Sequence, residues 1–250
     1  MEDGTLDRVV DGIPGMRNIR FKDLPSFIMT TDPHDILLNY LSEEAQNCLK
    51  SSAMIINTFT ELEREVLEVI EARFPNIYVT GPLSLMEKTI HENKLSQWWR
   101  PDIMMGDSAV LPDEFLEEIK DRGLLASWCP QDQVLSHPSI GVFLTHCGWN
   151  STIESISSGV PLICWPFFAE QQTNCRYACV EWGIGVEVNK DVKCQEIKAI
   201  IKDMLEGERG KELKDKALEW KKKEAEATDI GGSSWKHFDI FLEKLLLSRE

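Results

Sequence analysis

Between Gly141 and Val188 the chain passes repeatedly from a short, almost wholly apolar run into an amphipathic one of helical period: GVFLTH into NSTIESISS, VPLICW into AEQQTNCRYACVEWG, then IGVEV. Apolar runs this short, without polar alternation, suit parallel strands covered on both faces, and parallel neighbours need crossover helices between them. The same alternation occurs upstream. AMIINTF from Ala53 reads as a strand, TELEREVLEVIEARF as an acidic amphipathic helix, NIYVTG as a strand, PDEFLEEIKDRG as a helix and LLASW as a strand, followed by a short helix from Gln131. A helix is also predicted from Asp35 to Lys50, with Asp32 and Pro33 offering a cap upstream. The first thirty residues, with Gly4, Gly12, Pro14, Gly15 and Pro25, read as loop and turns, and Leu83 to Arg100 as a polar linker. Three helical segments follow the last strand: KCQEIKAIIKDMLEG, KELKDKALEWKKKEAEAT and SSWKHFDIFLEKLLLS. The second is charged enough to be expected in solvent.

Composition narrows the function classes. With 42% hydrophobic residues in 250 the chain has material for a real core, and its net charge of −15 opposes binding to nucleic acid or an anionic membrane. A single nucleotide is not excluded, because a helix terminus supplies local positive potential. Seven cysteines without paired close spacing read as reduced thiols, and the acidic start MEDGTLDRVV lacks a signal peptide's basic and apolar regions. No apolar run approaches bilayer length, so a cytoplasmic chain without a transmembrane segment is expected.

The chemistry concentrates between Trp128 and Gln171. THCGWNSTIES follows a strand and opens a helix, with Gly148 permitting a tight turn and Asn150 and Ser151 able to cap it. Free N–H groups and the positive dipole end at such a helix start suit a diphosphate, to which Ser151 adds a hydroxyl and His146 an imidazole. Glu154, one turn beyond Asn150, is placed to accept both hydroxyls of a ribose. Trp128 ends a strand at the sheet's C-terminal edge, where an aromatic face can stack on a base, and Glu170 and Gln171 open the next helix at that edge. Each residue also has a plainer use, as a cap, a solvated helix carboxylate or a core indole. A metal cluster of His146, Cys147, Cys175 and Cys179 is disfavoured because adjacent residues on a strand point to opposite faces, so the cysteines read as small buried hydrophobes. GxSxG and GxGxxG are both absent, which argues against a hydrolase elbow and a dinucleotide fingerprint.

In order, these 44 residues resemble the signature of plant secondary-product glycosyltransferases, the UDP-sugar-dependent enzymes of glycosyltransferase family 1. HCGWNS, Glu154 and the closing Glu170 and Gln171 carry the resemblance, and IPGM, RFKDLPSF, NTFTELE, GPL, RPD and EWGIGVEV extend it over nearly the whole chain. The resemblance implies a GT-B-like α/β fold of two Rossmann-like domains with parallel sheets. The division expected is 1–82 as a remnant of the acceptor-side domain, 83–100 as a linker, 101–232 as the UDP-sugar-binding domain and 233–250 as a helix returning to the N-terminal part. It also implies that Trp128 stacks on uracil, the Cys129 backbone meets the base edge, Gln131 and Glu154 hold the ribose, and His146, Asn150 and Ser151 hold the diphosphate. Trp149, Glu170 and Gln171 would meet the sugar, glucose being favoured by the closing Gln. The implied chemistry is an inverting displacement by an acceptor hydroxyl, with UDP-glucose as donor, no metal and no cofactor.

The chain departs from the family in two places. The family's catalytic His and its orienting Asp are not found before Gly81, and neither His34 nor His91 has their context, so no catalytic residue is assigned. Between Pro82 and Arg100 the strand and glycine-serine loop that open the donor domain in relatives are missing. Both domains are therefore expected to be incomplete, with apolar sheet edge exposed and marginal stability or a protein partner covering that edge. Two functions follow: UDP-glucose-dependent glucosylation of a small hydroxylated metabolite, or UDP-sugar binding by a catalytically impaired chain. A different nucleotide-binding Rossmann protein is the third reading.

Overall fold

The α-helices run from five to twenty-one residues and the strands are three residues each among the described residues. The computed structural model describes residues 4–247 except 75, 91–111, 127, 128 and 190. Three short 3-10 turns and a single antiparallel bridge, Val9 to Arg20, make up the N-terminal loop. It is anchored by Ile19, which is buried, and by a two-point ion pair from Arg20 to the buried Asp23. Helix α1 (Ile36–Cys48) is capped by Asp35, whose carboxylate accepts from the Leu38 N–H. Asp32 instead turns back on the His34 N–H, so the expected upstream cap is one turn too early.

Strand β1 (Met54–Ile56), helix α2 (Thr60–Glu71) and strand β2 (Ile77–Val79) form a parallel pair with its crossover, in register Met54 to Ile77. Residues Leu83–Ile90, read from sequence as linker, form helix α3. The Asn57 carboxamide accepts the Leu83 N–H at 3.0 Å, Pro82 opens the helix and Met86 is buried beneath it. The rest of the expected linker lies outside the described residues.

Helices α4 (Asp113–Ile119) and α5 (Gln131–Leu135) precede a parallel three-stranded sheet of β3 (Phe143–Thr145), β4 (Leu162–Cys164) and β5 (Gly185–Glu187), with β4 central. The LLASW run was expected to be a strand. Leu124 to Ala126 have no regular structure, and Leu124 and Leu125 are exposed. The reason is tertiary: a strand needs a hydrogen-bonded neighbour, and among the described residues β3 pairs only with β4. Leu144 on β3 is half-exposed.

Helix α6 (Trp149–Ser158) crosses from β3 to β4 and stops at Gly159, whose φ of 66° is the left-handed cap a glycine permits. Helix α7 (Gln171–Arg176) continues through a wider π-type turn, Tyr177–Glu181, into β5. Helices α8 (Cys194–Glu206) and α9 (Glu208–Thr228) then pack as a pair, Gly210 letting α9 approach the Met204 carbonyl. Helix α9 is not the solvent-borne helix its charge implied. One face presses on α6 and α8, burying Gly210, Ala217, Glu224, Ala227 and Thr228, while its Lys and Glu side chains take the other face.

One core joins the two sheet regions. Phe59 and Leu62 pack with Ile153, Ile156, Leu162, Trp182 and Ile184. Three indole N–H groups stitch this core by donating to backbone carbonyls: Trp149 to Asn57 at 2.8 Å, Trp182 to Leu62 at 3.2 Å and Trp220 to Trp182 at 3.0 Å. Helix α10 (Ser233–Phe241) lies on β2, where the His237 Nδ1 accepts the Val79 N–H and the Ser234 hydroxyl donates to the Gly81 carbonyl. By contrast α1 buries nothing, and Ile36, Leu37, Tyr40 and Leu49 are exposed along it. No helix among the described residues is long and apolar enough to cross a membrane.

Candidate functional site

The C-terminal ends of β3 and β4 carry the residues singled out by sequence. Because β3 stops at Thr145, the chain is free to turn sharply. The Thr145 hydroxyl accepts the Cys147 N–H, and the Asn174 carboxamide donates to the Cys147 carbonyl at 2.9 Å. Gly148 is the helix N-cap and has no side chain to close the first turn of α6. The expected capping by Asn150 or Ser151 is not made: Asn150 is exposed, and the Ser151 hydroxyl is engaged from another helix. The first-turn amides of α6 are thus left at the positive end of a ten-residue helix, without a side-chain cap.

His146 is exposed and folds back over this terminus. A methyl group at Gly148 would lie 2.5 Å from its Nε2, so glycine is what lets the imidazole rest there. On the flank of α6, one helical turn in, Ser151 and Glu154 face α5. The Gln131 carboxamide donates to both, at 3.1 Å to the Ser151 hydroxyl and 2.6 Å to the Glu154 carboxylate. Three polar side chains from two helices therefore converge beside an uncapped helix start, an arrangement able to take a diol on the carboxylate and a phosphate on the amides.

The remaining sequence-predicted residues divide. Cys129 is exposed two residues before Gln131, whereas Trp128 lies outside the described residues. Trp149 is half-buried with its indole N–H on the Asn57 carbonyl and its ring 6.2 Å from that of Trp182, so this side chain ties the two sheets together. Glu170 is exposed at the start of α7. Gln171 is buried, and its carbonyl oxygen accepts the N–H groups of Phe167 and Phe168, clasping the loop before α7.

Sequence reading overlooked what grips that loop from outside. The Ser26 hydroxyl accepts the Ala169 N–H while the Ser26 N–H donates to the Ala169 carbonyl, and the Thr173 hydroxyl donates to the Asp23 carbonyl at 2.7 Å. Ala169 is held with φ at 56°, a left-handed conformation unusual for alanine. The RFKDLPSF segment thus braces the start of α7, and its only advance signal was the resemblance over Arg20 to Phe27.

Comparison with known proteins assigns the class. Residues 111–217 match the family model described as UDP-glucoronosyl and UDP-glucosyl transferase. The whole chain aligns at 47% identity with linamarin synthase 1 of Manihot esculenta, and 98% of it at 44% identity with 7-deoxyloganetin glucosyltransferase of Gardenia jasminoides. Among solved structures, Phytolacca americana UGT2 complexed with UDP-2fluoro-glucose and pterostilbene superposes with a TM-score of 0.79 at 27% identity, over 98% of this chain and 64% of that one. The fold is accordingly GT-B, with incomplete Rossmann-like domains. The chain is thus similar along its whole length to plant UDP-glycosyltransferases. It spans 64% of the length of linamarin synthase 1, and the alignment runs over 307 positions against 250 residues, so the relative has residues within the matched span that this chain lacks.

Proposed function

We propose that the chain binds a UDP-sugar, UDP-glucose by preference, and that its activity is glucosyl transfer to a hydroxyl of a small-molecule acceptor. The observation carrying this reading is the convergence of Gln131, Ser151 and Glu154 beside the uncapped start of α6. In this reading Glu154 and Gln131 take the ribose hydroxyls, while the α6 amides with Asn150, Ser151 and His146 take the diphosphate. Trp128 and the Cys129 backbone receive the base, and the sugar lies toward Trp149, Glu170 and Gln171.

The reaction is an inverting displacement in which the acceptor oxygen attacks the anomeric carbon as UDP leaves. Helix N–H groups and the His146 imidazole offset the charge on the departing diphosphate, so no metal is required. Relatives named linamarin synthase 1 and 7-deoxyloganetin glucosyltransferase support a small-molecule substrate.

A second reading, UDP-sugar binding with impaired turnover, has its own support. Among the described residues β3 pairs only with β4, Leu124 to Ala126 form no strand, and two histidines have a ring nitrogen accepting a backbone N–H, His137 from Ser139 and His237 from Val79. One experiment separates the two: thermal unfolding with UDP, in parallel with product analysis after incubation with UDP-glucose and phenolic or alcohol acceptors. Stabilisation with product supports transfer, stabilisation without product supports the second reading, and no stabilisation by UDP removes both.

A further inference from the structure

The Sγ atoms of Cys147, Cys164 and Cys175 lie within 4.8 Å of one another, and all three residues are buried. A fourth thiol, Cys179, adjoins those of Cys164 and Cys175. These residues arrive from the turn before α6, the end of β4, α7 and the π-type turn behind it, so nothing in their spacing announces the cluster. His146 and Cys147 do point apart, as expected of neighbours, which leaves the histidine out of the cluster and Cys147 in it. Cys147 takes φ of 67°, which sends its sulfur inward while His146 stays outside. Gly185 on β5 completes the enclosure: a methyl group there would sit 3.0 Å from the Cys164 sulfur and 3.3 Å from that of Cys179.

A single buried cysteine is ordinary packing. Four that converge, without imidazole or carboxylate among them, make a uniformly soft donor set. We propose that this cluster is a binding site for a soft metal ion, Cu(I), held by the thiolates of Cys147, Cys164 and Cys175 with Cys179 beside them. Structural zinc takes four ligands in a tetrahedron, whereas only three sulfurs here are mutually close, which suits an ion content with fewer. Each ligating thiol gives up its S–H proton to solvent as the metal–sulfur bond forms, and nothing is oxidised or reduced.

The test uses the reduced chain with its exposed cysteines removed, Cys48→Ser, Cys129→Ser and Cys194→Ser together. This protein is titrated anaerobically with Cu(I) supplied as its bicinchoninate complex. The expected result is withdrawal of one equivalent of metal, proton release, a rise in Tm and an X-ray absorption shell made of sulfur alone, which only the buried thiols and methionines then supply. Adding Cys175→Ala should weaken uptake at least tenfold. Failure to withdraw copper, a nitrogen or oxygen shell, equal uptake by the Cys175→Ala chain, or Zn(II) held as tightly as Cu(I) would overturn the assignment. The absorption and proton measurements need no buried substitution, so they decide the matter even if Cys175→Ala does not fold.

Discussion

Glu224 provides a quantitative test of how the helices pack. It sits on the buried face of α9 with no exposed surface. Its Oε1 accepts the Ser157 hydroxyl at 2.7 Å, while its Oε2 has no partner among the described residues. Burial raises its pKa from 4.5 to about 8, against a smaller opposing pull from Ser157 and Lys221. The unfolded carboxyl ionises near its ordinary value, so below that pH both states are protonated and the contribution to stability is complete. As pH rises from there toward 8 the unfolded chain loses its proton first, and stability falls by about 1.4 kcal/mol per pH unit, roughly 4 to 5 kcal/mol in all before the curve flattens. Glu224→Gln mimics the protonated form and cannot ionise. Urea unfolding at pH 5.5, 7 and 8.5 should show the substituted chain losing less stability with pH than the parent, and exceeding it by several kcal/mol at pH 8.5. Subtracting the two slopes cancels other raised carboxyls such as Glu63 and Glu187. Parallel slopes for the two chains would refute the claim that Glu224 is held neutral.

Further expectations concern the site and the core. Glu154→Ala removes the carboxylate paired with Gln131, and calorimetry should show UDP binding weakened by about 1 to 3 kcal/mol. Gly148→Ala should push the His146 imidazole off the start of α6. UDP affinity should then fall about tenfold while Tm stays near the parent's, since the displaced atom belongs to an exposed side chain. Trp182→Phe leaves the Leu62 carbonyl without its donor inside the shared core, and chemical denaturation should register a loss of about 1 to 3 kcal/mol.

Much of this was written in the order of residues. VPLICW formed the central strand, buried on both faces as its apolar run requires, and GVFLTH and IGVEV pair with it in parallel on either side. The resemblance assigned Gln131 and Glu154 to one ribose, and the two side chains are hydrogen-bonded to each other. LLASW misled because its composition suits a strand, yet a strand exists only with a neighbour, and that neighbour is a tertiary fact. Helix α9 misled through its charge, which hid a small-residue face at Gly210 and Ala217. Trp149, Gln171 and the thiol cluster were not legible in their detail, since each depends on contacts between segments far apart in the chain.

The account rests on one nucleotide-sized arrangement at the ends of β3 and β4, and a crystal structure of the chain grown with UDP tests it directly. The account predicts ribose hydroxyls on the Glu154 carboxylate and diphosphate oxygens at the first-turn amides of α6, within hydrogen-bond reach of Ser151. Nucleotide bound elsewhere, with Gln131 still donating to Glu154 and the start of α6 open to solvent, would contradict it.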